Sequence, residues 1–143
     1  MRLMGLDYGS KTVGVALCDP LLMTVRPLEV IRRRKENHLR LTLARIEELV
    51  REYDVRRIVV GLPLNMDDTA GERAELSELF AGEVERRTGI SCVMQDERLS
   101  SMEAEEELRM MGADFGQTKE AVDMYAAAVI LRDYIAQHKE ELE

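Results

Sequence analysis

Leu3-Met4-Gly5-Leu6-Asp7-Tyr8-Gly9-Ser10-Lys11-Thr12-Val13-Gly14-Val15-Ala16-Leu17-Cys18 holds two apolar runs separated by a short glycine-containing connection. Runs of this kind, joined through Tyr8-Gly9-Ser10-Lys11, predict an antiparallel hairpin with strands over residues 2–7 and 12–18. The first strand closes on an acid, Asp7, at the point where the backbone turns.

Outward from the hairpin, a third strand is expected near residues 26–32. Leu39, Leu43, Ile46, Leu49 and Val50 then recur at helical spacing, predicting an amphipathic helix over 39–53. Ile58-Val59-Val60 reads as a short buried strand stopped at Gly61-Leu62-Pro63, because proline cannot donate to a sheet ladder. Thr69 and Glu72 have capping-box spacing and announce a helix running to about Arg87, which Gly89 breaks. Ile90 to Met94 is the fifth expected strand. Ser100 and Glu103 open a helix that ends near Gly112, and a last helix is expected over 119–138. The order βββαβαβα, with one extra helix, predicts an α/β fold: a mixed five-stranded sheet flanked by helices, in the order of the RNase H-like fold. Residues 1–138 suit one domain, and Lys139-Glu140-Glu141-Leu142-Glu143 reads as a frayed, charged tail.

Composition bounds the function. No apolar run approaches the ~20 residues that span a bilayer, so a cytoplasmic protein with no membrane partner is expected. Cys18 and Cys92 each sit in a strand-like apolar run, away from any CxxC pair or histidine, and read as buried thiols. The net charge of −8 argues against a protein that coats itself with nucleic acid. The charge is divided, however: residues 1–66 carry twelve basic and eight acidic side chains, and residues 67–143 carry eight and twenty. The Arg32-Arg33-Arg34-Lys35 run is open to two readings, a phosphate-collecting cluster or a solvated turn.

Four acids stand where a sheet has little use for them. Asp7 and the Asp96-Glu97 pair end strands, where ligands of open α/β sheets gather. Asp123 shares a helical stripe with Ala126, Ala127, Ile130 and Tyr134, the face that should pack on the sheet. A carboxylate buried there demands a partner or a cation. Asp7, Asp123 and Glu97 or Asp96 could form an oxygen cage for Mg²⁺ or Mn²⁺, which favour carboxylate ligands and support phosphodiester hydrolysis. Around them, Gly61 to Met66 precedes a helix start, and Asn65 could hydrogen-bond a phosphate. Arg98 could neutralise transition-state charge or pair with Glu97.

Taken together, these residues resemble the YqgF family, also called RuvX, of Holliday junction resolvases and pre-16S rRNA nucleases. The resemblance rests on Gly5 to Lys11 with Gly14-Val15-Ala16, on Val60 to Asp67, on Asp96-Glu97-Arg98-Leu99-Ser100, and on Val122-Asp123 with Ala126-Ala127, Ile130-Leu131 and Tyr134. It implies a small relative of the RuvC resolvases that trims the 5′ end of pre-16S rRNA during ribosome maturation. Its implied catalytic acids are Asp7, Glu97 and Asp123, with Asp96 competing for the metal role. Gly9, Ser10, Lys11, Asn65, Arg98 and Lys119 are the implied substrate contacts. Implied partners are pre-16S rRNA or branched DNA, and the ribosome.

Three departures accompany the resemblance. Asp68 stands where the family has glycine, and Lys119 alone remains of the basic residues expected before Val122-Asp123. Gly61 and Pro63 occupy the region where RuvC-like enzymes carry a fourth-strand acid, so the site must rely on Asp96 or Glu97. Alternatives are a junction resolvase and a non-catalytic nucleic-acid- or ribosome-binding factor. A nucleotide-binding module of the actin and sugar-kinase class is disfavoured by length.

Overall fold

A computed structural model describes residues 1–63, 71–97, 106, 110 and 119–142. The strands are β1 (Arg2–Tyr8), β2 (Thr12–Cys18), β3 (Val25–Arg32), β4 (Val55–Leu62) and β5 (Cys92–Asp96). The helices are α1 (Arg40–Glu52), α2 (Glu72–Thr88), α3 (Lys119–Gln137) and α4 (Lys139–Leu142). The strands form one sheet in the order β3-β2-β1-β4-β5. β1 and β3 each run antiparallel to β2, whereas β1, β4 and β5 are mutually parallel. The C-terminal ends of β1, β3, β4 and β5 therefore lie at one end of the sheet, beside the start of β2.

Strand alternation sorts the core into two layers. Met4, Leu6, Tyr8, Val13, Val15, Ile58 and Val60 pack against Leu43, Ile46 and Leu49 of α1 and Phe80 and Val84 of α2. The opposite parity, with Leu3, Ala16, Cys18 and Val59, meets Ala127, Ile130, Leu131 and Tyr134 of α3. Small residues let α3 lie close to the sheet. A Cβ on Gly5 would stand 2.8 Å from the Ala127 carbonyl oxygen and 2.9 Å from Leu131 Cβ, so only glycine permits this approach. Cys18 is buried, and its Sγ accepts the Leu3 N–H at 3.0 Å. Cys92 is half-buried; burial first, and the Glu85 charge second, push its thiol up to about 12.

Several boundaries differ from the sequence expectation. β4 is eight residues long, not three, because Val55 is buried and Arg57 is tolerated below α3 by donating to the Tyr134 hydroxyl at 2.9 Å. β5 starts two residues late, since Gly89 closes α2 in the left-handed region (φ 74°) and Ile90 N–H then turns back to Thr88 Oγ1. The proposed Thr69–Glu72 capping box does not hold: Gly71 is the N-cap, without a side-chain cap bond, and Glu72 is the first helical residue rather than the third. Thr69 itself lies outside the described residues, as does most of the helix expected from Ser100 to Gly112. The charged tail is the short helix α4, anchored by Leu142 against the α3 layer.

Candidate active site

Asp7 sits one residue from the end of β1 and pairs directly with Gly14 of β2. Directly opposed residues face the same side of a sheet. A Cβ on Gly14 would fall 2.1 Å from the Asp123 carbonyl oxygen, so Gly14 lies immediately under α3, and Asp7 projects toward the same helix. Asp123 is buried, 9% exposed, and its Oδ2 accepts the Thr12 hydroxyl at 2.8 Å. The lone carboxylate on the packing stripe thus has a partner, supplied by the residue that opens β2.

The other flank of Asp7 is Gly61. The β1–β4 register runs to Leu6 opposite Val60, and one further step sets Asp7 beside Gly61, one strand spacing of ~4.8 Å away. A Cβ on Gly61 would stand 2.7 Å from both Glu97 Cδ and Ile130 Cδ1. The Glu97 carboxyl therefore fills the space that a side chain at position 61 would take. Glu97 N–H donates to the Leu62 carbonyl at 3.1 Å, which extends the parallel ladder past β5. The Glu97 carboxyl thus reaches from the end of β5 over the β4 position where glycine leaves no side chain. Asp7, Glu97 and Asp123 share one face and one end of the sheet.

Asp96 does not join them. Gln95 lies on the α3 side, donating to Gln137 Oε1 at 3.2 Å, whereas Met94 packs in the α1–α2 layer. Alternation puts exposed Asp96 with Met94, on the opposite face from Asp7 and Asp123.

The turn after Asp7 is braced from behind. Gly9 N–H donates to the Thr12 carbonyl at 2.7 Å, and Arg33 Nη2 donates to the Gly9 carbonyl at 2.6 Å. The Arg33 guanidinium lies over the Tyr8 ring, 4.7 Å from its centroid, and Tyr8 stacks on Phe80 at 4.4 Å. Burial raises the Tyr8 phenol above its ordinary range, opposed by the adjacent Arg33 charge. Arg33 is therefore an internal brace, which corrects both readings of the 32–35 run at that position; Arg32, Arg34 and Lys35 are exposed.

Of the implied substrate contacts, Ser10 and Lys11 are exposed on the turn and Gly9 is half-buried. Asn65 and Arg98 lie outside the described residues, as does the side chain of Lys119. Sequence reasoning missed Thr12, Gly14, Gly61 and Arg33 as builders of the site. The only available signals were the two-residue spacing of Thr12 and Gly14 and the isolated strand glycines, which mark close approach.

Among the described residues, the donors at this corner are oxygens: three carboxylates and the Thr12 hydroxyl. That set suits a hard divalent cation such as Mg²⁺ or Mn²⁺, and the space above Gly61 admits a carboxylate beside Asp7. Among the described residues, no three histidine, cysteine, aspartate or glutamate side chains stand grouped so as to hold a metal ion as placed.

The model of the RuvX family, described as a Holliday junction resolvase, matches residues 1–137. A protein of Lachnospira eligens is 53% identical over 135 residues, covering 94% of this chain and 96% of that protein. One of Agathobacter rectalis is 47% identical, covering 94% of each, and one of Listeria monocytogenes is 46% identical, covering 94% and 97%. All three carry the name "Putative pre-16S rRNA nuclease". Among solved structures, Thermus thermophilus RuvC in complex with Holliday junction substrate superposes with a TM-score of 0.58 at 14% identity, covering 96% of this chain and 95% of that one. Fowlpox virus resolvase with Holliday junction DNA gives 0.56 at 8%, covering 96% and 98%. At these identities the likeness speaks to the fold, which is RNase H-like.

Proposed function

This chain belongs to the RuvX family, a nuclease family, and from that premise we propose that it is a divalent-cation-dependent nuclease that processes the 5′ end of pre-16S rRNA. In this reading Asp7, Glu97 and Asp123 are the catalytic carboxylates. The observation that carries it is the gathering of these three acids on one face and at one end of the sheet, with glycines at 14 and 61 making the room. Mg²⁺ or Mn²⁺ would be held by Asp7, Glu97 and Asp123, and when bound supplies an activated water and charge neutralisation at the leaving oxygen.

The chain's own residues do the positioning. Thr12 fixes one oxygen of Asp123, and the Arg33 brace holds the turn that follows Asp7. The exposed Ser10 and Lys11, with Gly9, offer hydrogen-bond donors and a charge to phosphates beside the acids. Asn65, Arg98 and Lys119 are the further substrate contacts of the proposal. Asp96, on the opposite face, is left out of the metal site. The work would take place in the cytoplasm on ribosomal precursors; no helix of the described residues is long and apolar enough to cross a membrane.

The test is incubation of the purified chain with 5′-extended pre-16S rRNA, unrelated single-stranded RNA and a four-way DNA junction, each with Mg²⁺ or Mn²⁺ and with chelator. Cation-dependent shortening of the precursor at its 5′ end is expected. Preferential cleavage of the junction would assign the resolvase reading instead, and intact substrates in every arm would defeat the nuclease proposal.

A further inference from the structure

Beyond the acids, the loop that carries β3 into α1 encloses an open cavity of about 500 Å³, lined by Arg32, Arg33, Arg34, Asn37, His38 and Arg40 together with Leu39 and Leu41. Among the described residues, four arginines and no acidic side chain line it, in a chain whose net charge is −8. Arg34 and Arg40 are exposed, and among the described residues neither enters an ion pair. Long cations left unpaired on an acidic protein are drawn to an external anion.

Two features of the cavity wall add to this. Arg33 has a side chain only 3% exposed and shares a single carboxylate, Glu36, with Arg73: the Arg73 contact is 2.6 Å and that of Arg33 is 4.0 Å. Two guanidinium groups thus face one acid, and Arg33 Nη1 is buried with no hydrogen-bond partner among the described residues. Arg33 is also held by the Gly9 and Glu36 carbonyls and the Tyr8 ring, so its charge is offset only in part by the shared Glu36 carboxylate. Helix α1 also opens from this loop without a side-chain cap and without an acidic residue in its first turn, so its partial positive end is not offset.

The location gives the cavity a partner. Arg32 ends β3 directly opposite Thr12, whose hydroxyl holds Asp123. The cavity therefore begins two strands from Asp7, ~10 Å along the same end of the sheet. A strand that runs from the acids along this end of the sheet therefore reaches the cavity within a few phosphates.

We infer that this cavity is a second nucleic-acid site, which grips the phosphodiester backbone of the substrate strand a few nucleotides from the acids through Arg34 and Arg40 in front of the buried Arg33 charge. It rests on the nuclease reading for the identity of the strand, but not for the chemistry of the site. The grip is to phosphate and sequence-independent, and it accepts a single strand or one strand of a duplex.

The experiment is fluorescence anisotropy of the full chain in chelator, so that nothing is hydrolysed, against a short labelled single-stranded RNA and a labelled DNA duplex over a range of salt. Arg34→Ala/Arg40→Ala is expected to lose at least about tenfold in affinity near ~50 mM salt and to flatten the plot of log K against log salt by about 1.4 on RNA or about 1.8 on duplex, the removal of two phosphate contacts. Arg34→Lys/Arg40→Lys should keep most of the slope. Exposed Arg56, at the other end of the sheet, serves as the control, and Arg56→Ala should change neither quantity. A loss on one ligand alone assigns the site to that strand form. Unchanged affinity and slope in the alanine pair, an equal effect of Arg56→Ala, or no binding by the parent chain would each overturn the inference. Absence of cleavage elsewhere would leave it standing, because this measurement reads binding alone.

Discussion

Asp7→Asn, Glu97→Gln and Asp123→Asn are each expected to slow cation-dependent hydrolysis at least about a hundredfold, a loss of about 2.7 kcal/mol in transition-state stabilisation. An amide keeps the size of the carboxylate but is a poor ligand for a hard cation. Packing should survive the changes. The Thr12 hydroxyl can still donate to the side-chain oxygen of an asparagine at 123, and Glu97 occupies space above Gly61 that glutamine fills equally. Asp96→Asn should change the rate less than about threefold, because its side chain lies on the other face. Single-turnover rates on the same RNA separate these cases. Wild-type rates in Asp7→Asn, free of contaminating nuclease, would end the catalytic assignment, and a larger defect in Asp96→Asn than in Glu97→Gln would reverse the choice between the two acids.

Gly14→Ala should be more damaging than alanine at Gly5, Gly9, Gly61, Gly82 or Gly89. Its Cβ would lie 2.1 Å from the Asp123 carbonyl oxygen and 2.6 Å from the carbonyl carbon. Both obstacles are backbone, so no side-chain rotation relieves the clash, and α3 must lift from the sheet. Overpacking of this kind costs about 3 kcal/mol, here at its upper range. A shift of ~1 Å in Asp123 would also cost about a hundredfold in rate. Gly61→Ala meets the movable ends of Glu97 and Ile130 and should harm hydrolysis more than stability. Gly82, in mid-α2 with nothing within 4 Å of an added Cβ, should gain about 0.5–1 kcal/mol on conversion to alanine. Urea unfolding of the three variants checks the ranking, and a Gly14→Ala protein as stable as the parent would contradict the close seat of α3.

The fold was legible where periodicity is strong. The hairpin around Gly9, the helix carrying Leu43, Ile46 and Leu49, and the buried stripe beginning at Asp123 all follow from alternation or helical spacing, and the family likeness agrees with them. Boundaries moved where tertiary contacts outweigh local signals. Arg57 extends β4 because Tyr134 receives its guanidinium, and Gly89 delays β5 by taking the next residues into a turn. The candidate acids are visible in the chain, but not the choice between Asp96 and Glu97. A one-residue step exchanges the faces of a sheet, and only the packing of Met94 and the Gln95–Gln137 bond fixes the phase. Arg33 was illegible for a different reason. In a run of four cations nothing distinguishes the one that turns inward, and its role emerges only from Tyr8 and the Gly9 carbonyl brought near by the hairpin.

The central claim is that Asp7, Glu97 and Asp123 together hold a divalent cation, and it is tested most directly without any substrate. Differential scanning calorimetry of the parent chain and of Asp123→Asn, each with and without Mn²⁺, reads cation binding as stability. A cation that binds only the folded site should stabilise the parent by about 2.7 kcal/mol at ~100 times its dissociation constant. That corresponds to a rise in Tm of roughly 10 °C for a domain of this size. Asp123→Asn should match the parent without the cation and lose most of the rise with it. An equal rise in both proteins would remove Asp123 from the site, and a parent chain whose Tm ignores Mn²⁺ and Mg²⁺ alike would contradict the account.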